Sequence, residues 1–394
     1  MTFDYQKELL DSDIFSQNQA ALFSLLQGIT TDKGLTLNGK HSNRYFIQFT
    51  SKEGGEAICF STPIYQKDSK NFIVREFTQD KGYYRFVGSN CEVRVTGTQI
   101  LMFQRGKKIS FHFPKEINWK IYRGFLVSQN YILIPTYNGV AIRGDLTLLR
   151  FEVTIDFFYQ RLRKSKSCLC FMEDKYDPVF VVSGLYALDK QGNKVPLRVR
   201  YVDDLNKSGF LSFESLIGFS SYGVFELDFY EPKLLQDTPV SSRYPDENNA
   251  FGAIAFVGDS EYYGSQWLYF RLDLSKIHEM KNANIEEIKL YVPSWNDADV
   301  SLRLYDLPSR FCSFGSSWNN KVEPKTMKKE ITRQGNFLCF DLTEEYTRSG
   351  RLAQCAGTVL LSHSRNKQSP QILSTGDCYI MPPFLWIKFT NSGK

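Results

Sequence analysis

Between two apolar runs the chain reads Ser294-Trp295-Asn296-Asp297-Ala298-Asp299. An indole beside an amide and two carboxylates in a polar turn suits two kinds of site. An aromatic face can stack on the apolar face of a sugar ring while Asn296, Asp297 and Asp299 bond its hydroxyls. Asp297 and Asp299 also offer the hard oxygen donors that Ca²⁺ takes. The plain alternative is an ordinary turn with Trp295 folded onto the protein body. Trp295, Asn296, Asp297 and Asp299 are therefore the candidate ligand-binding residues, and the sequence leaves a metal open.

Other reactive residue types lack a useful pattern. The four histidines, His41, His112, His278 and His363, are too scattered for a metal site, and no HExxH or CxxC occurs. No GxSxG is present, and no glycine-rich phosphate loop opens a helix. The neighbours Asp203-Asp204 and Glu344-Glu345 look like carboxylate pairs, but adjacent strand residues point to opposite faces, a poor arrangement for acid–base work. Cys168-Leu-Cys170 looks like a redox pair, yet i and i+2 on a strand are badly spaced for a bridge. The eight cysteines mostly sit in apolar runs such as AICF and FLCF, as small buried hydrophobes do. No catalytic residue is nominated and no cofactor beyond Ca²⁺ is expected.

The elements that must position the turn are strands. Aromatic residues make up 15% of the chain, with 32 Phe and 22 Tyr, which favours half-buried pleated surfaces. YYRFV, CEVRV, QILMF and KISFHF are short runs separated by Gly-Ser-Asn, Thr-Gly-Thr and Arg-Gly-Lys-Lys, the punctuation of hairpins. Longer strands follow in LTLLRFEVTIDFFY, PVFVVSGLYALD and YGVFELDFYE. The basic run Arg161, Arg163, Lys164, Lys166 between strands reads as a hairpin tip. The expected division is an N-terminal segment 1–34, antiparallel β domains 35–115 and 116–236, and a third unit 237–394. The segment 1–34 carries a short helix, capped by Ser16, with Ala20, Phe23, Leu25 and Leu26 apolar and Gly28 as the stop. It packs on the first β domain or docks on a partner protein.

A net charge of +5 over 394 residues, with basic residues scattered rather than striped, gives no reason to expect nucleic acid. No apolar run approaches the roughly 20 residues of a membrane-spanning helix. Asp4, Glu8, Asp11 and Asp13 stand where a signal peptide would be basic. No membrane partner is expected, and either the start is a native cytosolic one or a leader has been removed.

Two phrases, WLYFRLDLSKI and FLCFDLTEEY, both run an apolar strand into an Asp-Leu-Ser/Thr step. The step marks a strand leaving its sheet, with side-chain oxygens turned to nearby backbone N–H groups. With DTPVSSRYPDENN, IEEIKLYV, VSLRLYDL, SSWNNKV and ILSTGDCYIMPPFLWIKF in order, the chain from Asp237 onward resembles the DNRLRE domain family, related to certain carbohydrate-binding modules. The resemblance implies a C-terminal jelly-roll β-sandwich and no chemistry, since members are mostly attached to larger surface or phage-encoded proteins. It also implies a fragment 237–394 that folds alone.

The expected protein is thus all-β, with tandem antiparallel β domains ending in a jelly-roll sandwich. The expected function is non-catalytic attachment to a surface glycan or cell-envelope polymer, at a virion or cell surface. The alternative is a phage, prophage or surface assembly component acting by protein–protein contacts. A polysaccharide hydrolase or lyase is the third reading; it would need two convergent carboxylates in a long cleft.

Overall fold

The computed structural model describes residues 36–37, 46–51, 54–61, 67–68, 71–72, 76–88, 91–136, 138–146, 149–175, 177–189, 194–195, 197–204, 207–215, 222–230, 234–250, 254–272, 283–297, 302–309, 311–327, 331–344, 358–362, 370–376, 378 and 381–391. The segment 1–34, with its expected helix, lies outside them, as do His41, His278, His363 and Asp299. The described elements are strands and one 3-10 turn, Trp318–Asn320. The expected all-β class is observed, as several antiparallel sheets.

Local sequence builds the strands as physical chemistry dictates. Arg150–Asp156 alternates exposed and buried along its length, the period of a half-buried strand. Gln99–Gln104 and Lys107–His112 pair through a two-residue turn in which Arg105 and Gly106 have φ of 45° and 80°. Positive φ at both central positions matches the right-handed twist of the strands, and Gly106 adopts it without steric cost. Gly54–Phe60 is buried at every position, so its AICF core reads as a continuous run rather than an alternation.

The sheets assemble into two sandwiches. In the first, an eight-stranded sheet runs in the order 197–204, 208–215, 150–156, 107–112, 99–104, 92–95, 83–87, 78–80. Its partner sheet runs 120–122, 125–127, 131–135, 139–145, 222–229, 178–188, 168–172, 161–164, with 194–195 beside 178–188. The core between them is aromatic. Phe213 stacks on Phe225 at 3.9 Å, Phe151 meets Phe225 at 6.1 Å, and Phe111 meets Phe180 at 5.8 Å.

The second sandwich pairs two seven-stranded sheets. One runs 36–37, 46–50, 54–60, 384–391, 283–293, 337–341, 332–334. The other runs 326–327, 302–306, 358–362, 264–272, 254–260, 371–374, with 235–241 on 264–272. Ala57, Ile288, Leu290, Leu385 and Ile387 face Ala255, Val257, Leu268 and Leu360 across one core.

These pairings correct the expected divisions. Lys107–His112 pairs with Arg150–Asp156, so a cut at 115/116 would split one sheet. Gly54–Phe60 pairs along its length with the final strand Phe384–Asn391, so residues near the N-terminus belong to the C-terminal sandwich. Residue 237 falls inside the strand Leu235–Ser241. The first sandwich is inserted between two parts of the second. The basic run is a hairpin arm and its tip: Arg161–Lys164 is an edge strand paired with Cys168–Met172, and Lys166 sits in the turn between them. Charge along an edge discourages further strands from adding to it.

The sandwiches meet at a junction with an exposed polar rim and a buried apolar centre. Lys166 pairs with Asp246 at 2.8 Å and Arg198 with Glu247 at 3.3 Å. The Asn248 backbone N–H donates to Ser167 Oγ at 3.0 Å, and its side-chain amide donates to the carbonyls of Ser313 and Ser316 at 2.6 and 2.7 Å. Tyr230 meets Phe314 edge-on at 4.9 Å, beside buried Cys168 and Cys170 and part-buried Cys312. None of the seven described cysteines forms a disulfide, and Cys355 lies outside the described residues. Burial pushes the Cys170 and Cys312 thiols up, which keeps them protonated and poorly nucleophilic.

Candidate functional site

The turn after Ala283–Pro293 is anchored from two sides. Ser294 forms an isolated bridge with Leu373. Its N–H donates to the Asn336 carbonyl at 2.7 Å, and the Trp295 N–H donates to the Ile372 carbonyl at 2.9 Å. The turn therefore sits over the end of the strand Gln371–Ser374, the last strand of the second sheet.

Trp295 is 42% exposed. Its indole Nε1–H donates to Ser374 Oγ at 2.9 Å. One edge of the ring is tied down while much of its surface stays in water. Holding a ring in one orientation before binding lowers the ordering cost that a ligand would otherwise meet.

Asn296 does something other than expected. Its Nδ2 donates to the Pro370 carbonyl at 2.8 Å, and its Oδ1 accepts from Gln371 Nε2 and the Ile372 N–H, both at 2.7 Å. Both ends of the amide are engaged with residues 370–372. Asn296 thus fastens the turn, and its amide keeps one further N–H donor beyond these bonds.

Asp297 is on the surface, with 91% of its side chain exposed, and is ion-paired to Arg333. Arg333 also donates to Ser294 Oγ and to the Asn296 carbonyl, both at 3.1 Å. The guanidinium thus braces the turn and sits beside the exposed Asp297 carboxylate. Among the described residues no group of three or more His, Cys, Asp or Glu side chains is placed to hold a metal.

The residues that sequence reasoning missed are Ser374, Arg333 and Gln371. Gln371 Nε2 donates to Ser294 Oγ at 2.6 Å and to the Asn296 carbonyl at 2.8 Å while only 2% exposed. Gln371 and Ser374 are signalled only as polar residues in a largely buried strand, and Arg333 lies in the exposed polar strand Thr332–Gln334, which carries no signal at all. Trp318 is framework: it packs on Trp267 at 5.1 Å, and Lys321 sits 4.3 Å over its ring.

The Asp-Leu-Thr step behaves as a strand exit. Asp341 Oδ1 accepts the Thr343 N–H at 3.0 Å, and Thr343 Oγ1 accepts the Ile288 N–H at 3.2 Å. The matching Asp273-Leu-Ser275 step lies outside the described residues. Asp203 and Asp204 are exposed at the end of an edge strand, opposite Gly209 and Ser208. No protein-family model and no curated protein matches this chain.

Proposed function

We propose that this chain is a non-catalytic binding protein that attaches to a surface glycan or cell-envelope polymer through its second sandwich. The observation that carries the reading is Trp295: a ring exposed on the surface yet held in one orientation by Ser374. Residues 237–394 are read as DNRLRE-like, a module type used for attachment, and a virion or cell surface is the proposed location. Trp295 supplies the stacking face. Asp297, paired with Arg333, supplies a fixed acceptor and Arg333 the neighbouring donor.

The test is a glycan array probed with the full chain and with Trp295→Ala. Losing one stacked aromatic costs about 1–3 kcal/mol, taking sugar stacking to be comparable with base stacking on protein aromatics. Kd should therefore rise roughly tenfold or more. Retained affinity in the variant, or no binding by the wild-type chain, would sink the reading.

A second reading, assembly by protein–protein contacts, has its own observation. Val202 and Phe210 lie directly opposite each other on the strands 197–204 and 208–215, exposed by 67% and 38% at the rim of the eight-stranded sheet. An exposed apolar pair at a sheet rim is a plausible contact for another chain. Light scattering on Val202→Asp decides it: a wild-type oligomer that this change dissociates favours assembly, and a wild-type monomer does not.

A further inference from the structure

A second polar feature lies on the sheet whose strand Gln371–Ser374 the Trp295 turn covers. An open cleft of about 790 Å³ is lined by Ser242, Arg243, Asp259, Glu261, Gly264 and Ser265. The turn at Gly264 is built closely. Gly264 has φ of +63°, and a Cβ there would sit 2.4 Å from Ser242 Oγ, so only glycine lets the turn close against that hydroxyl. Ser242 Oγ accepts the Ser265 N–H at 2.8 Å, and Ser265 Oγ donates to Asp259. Arg243 and Glu261 are exposed and form no salt bridge with any described residue. The cleft thus presents one guanidinium, carboxylates and hydroxyls in one place, a mixture of donors and acceptors suited to the hydroxyls of a sugar.

An apolar path joins this cleft to Trp295. Ile254 pairs with Ser374, the residue that holds the indole, and Phe256 pairs with Ile372. Ala255, Val257 and Leu373 point into the core, so Ile254, Phe256, Ile372 and Ser374 share the outer face. Phe256 stacks on Tyr263 at 5.1 Å with planes 25° apart. Tyr263 in turn packs edge-on to Tyr244 and Tyr262, and its carbonyl accepts the Arg243 N–H at 3.2 Å. The strand Ile254–Ser260 runs from the Trp295 end to the cleft end, a span of ~20 Å at about 3.3 Å per residue.

We propose that the cleft around Arg243, Asp259 and Glu261 is a second subsite, and that the ligand is an extended neutral oligosaccharide lying along the outer face from Trp295 past Phe256 to the cleft. This rests on the glycan reading of Trp295 and extends it to chain length. Apolar ring faces would lie over Trp295, Ile254 and Phe256. Hydroxyls at the far end would bond Arg243 and the carboxylates. Opposite charges within the cleft favour a neutral ligand over a strongly anionic one.

The test uses the full chain and an array of neutral oligosaccharides graded from disaccharides to octasaccharides. The expected result is affinity that rises with length and then levels off. Arg243→Ala with Glu261→Gln should weaken the long members about tenfold and leave the short ones unchanged, while Trp295→Ala weakens both. Both cleft side chains are exposed, and a melting curve matching wild type verifies the fold. Long members bound equally by the cleft variant would overturn the second subsite and leave Trp295 standing. Binding reduced by the cleft variant but not by Trp295→Ala would overturn the Trp295 reading and retain the cleft. An array on which nothing binds overturns both.

Discussion

The two sandwiches reach similar architectures by different routes. The first, 76–230, is built from one continuous stretch, and its core is a cluster of phenylalanines between two sheets. The second is built from both ends of the chain: Gly54–Phe60 lies between Phe46–Thr50 and Phe384–Asn391 in its sheet. The sandwich that carries Trp295 is therefore not an appended tail. Its final strand, Phe384–Asn391, depends on a partner more than three hundred residues earlier in the chain, and the first sandwich is an insertion held against this second one by the Arg198–Glu247 and Asn248 contacts. Strand order in sequence and strand order in space part company most where the candidate site sits.

The contrast is broken most severely by removing the distant strand. A fragment of residues 237–394 loses Ala57, Ile58, Cys59 and Phe60, all 3% exposed or less, and leaves Phe384–Asn391 with an open apolar edge. Burying each large apolar side chain stabilises by about 1.5–3 kcal/mol, and an open edge invites aggregation. The fragment should therefore aggregate or melt without a cooperative transition. A cooperative melt would restore the autonomous C-terminal domain that the sequence led one to expect.

A single bond across the same seam should matter next. Trp386 Nε1–H donates to Glu56 Oε2 at 3.0 Å, and Glu56 is 2% exposed. Trp386→Phe removes a donor to a buried carboxylate, a loss of about 1.5–3 kcal/mol. Denaturant unfolding should show a lower midpoint with an unchanged slope.

The mechanism of sheet closure explains what the sequence revealed. The hairpin at Arg105-Gly106 and the alternation of Arg150–Asp156 are local, and both were legible from turn chemistry and period. The partner of Gly54–Phe60 was not, because nothing in AICF names a strand beyond residue 380; only the fold decides it. Trp295 was legible as an aromatic in a polar turn. The anchoring role of Asn296 was not legible, because its three bonds go to residues 370–372 and spacing along the chain cannot report such partners. The run Arg161–Lys164 looked like a solvated tip because edge strands and turns share a taste for charge.

A smaller effect sharpens the comparison at the junction. Burial raises the Glu247 carboxyl above its ordinary 4.5, against the opposing pull of Arg198. A folded-state value above the unfolded one means that the folded protein binds more protons in that window. This contribution to stability is present below about pH 4.5 and is lost as pH rises through the folded value. Glu247→Gln should flatten the fall in melting temperature from that pH upward. An unchanged pH profile would mean that Glu247 is as well solvated folded as unfolded.

On the proposed reading the exposed face of Trp295 contacts the ligand. The chain has five tryptophans, and each indole N–H gives a separate proton–nitrogen resonance. Trp386 is bonded to Glu56 inside the second sandwich, Trp119 is buried in the first, and Trp267 packs on Trp318. On titration with the tightest-binding oligosaccharide of the array, the resonance that disappears in Trp295→Phe should shift first and furthest, with the others near their starting positions. A titration in which that resonance stays still while the ligand binds would contradict the account.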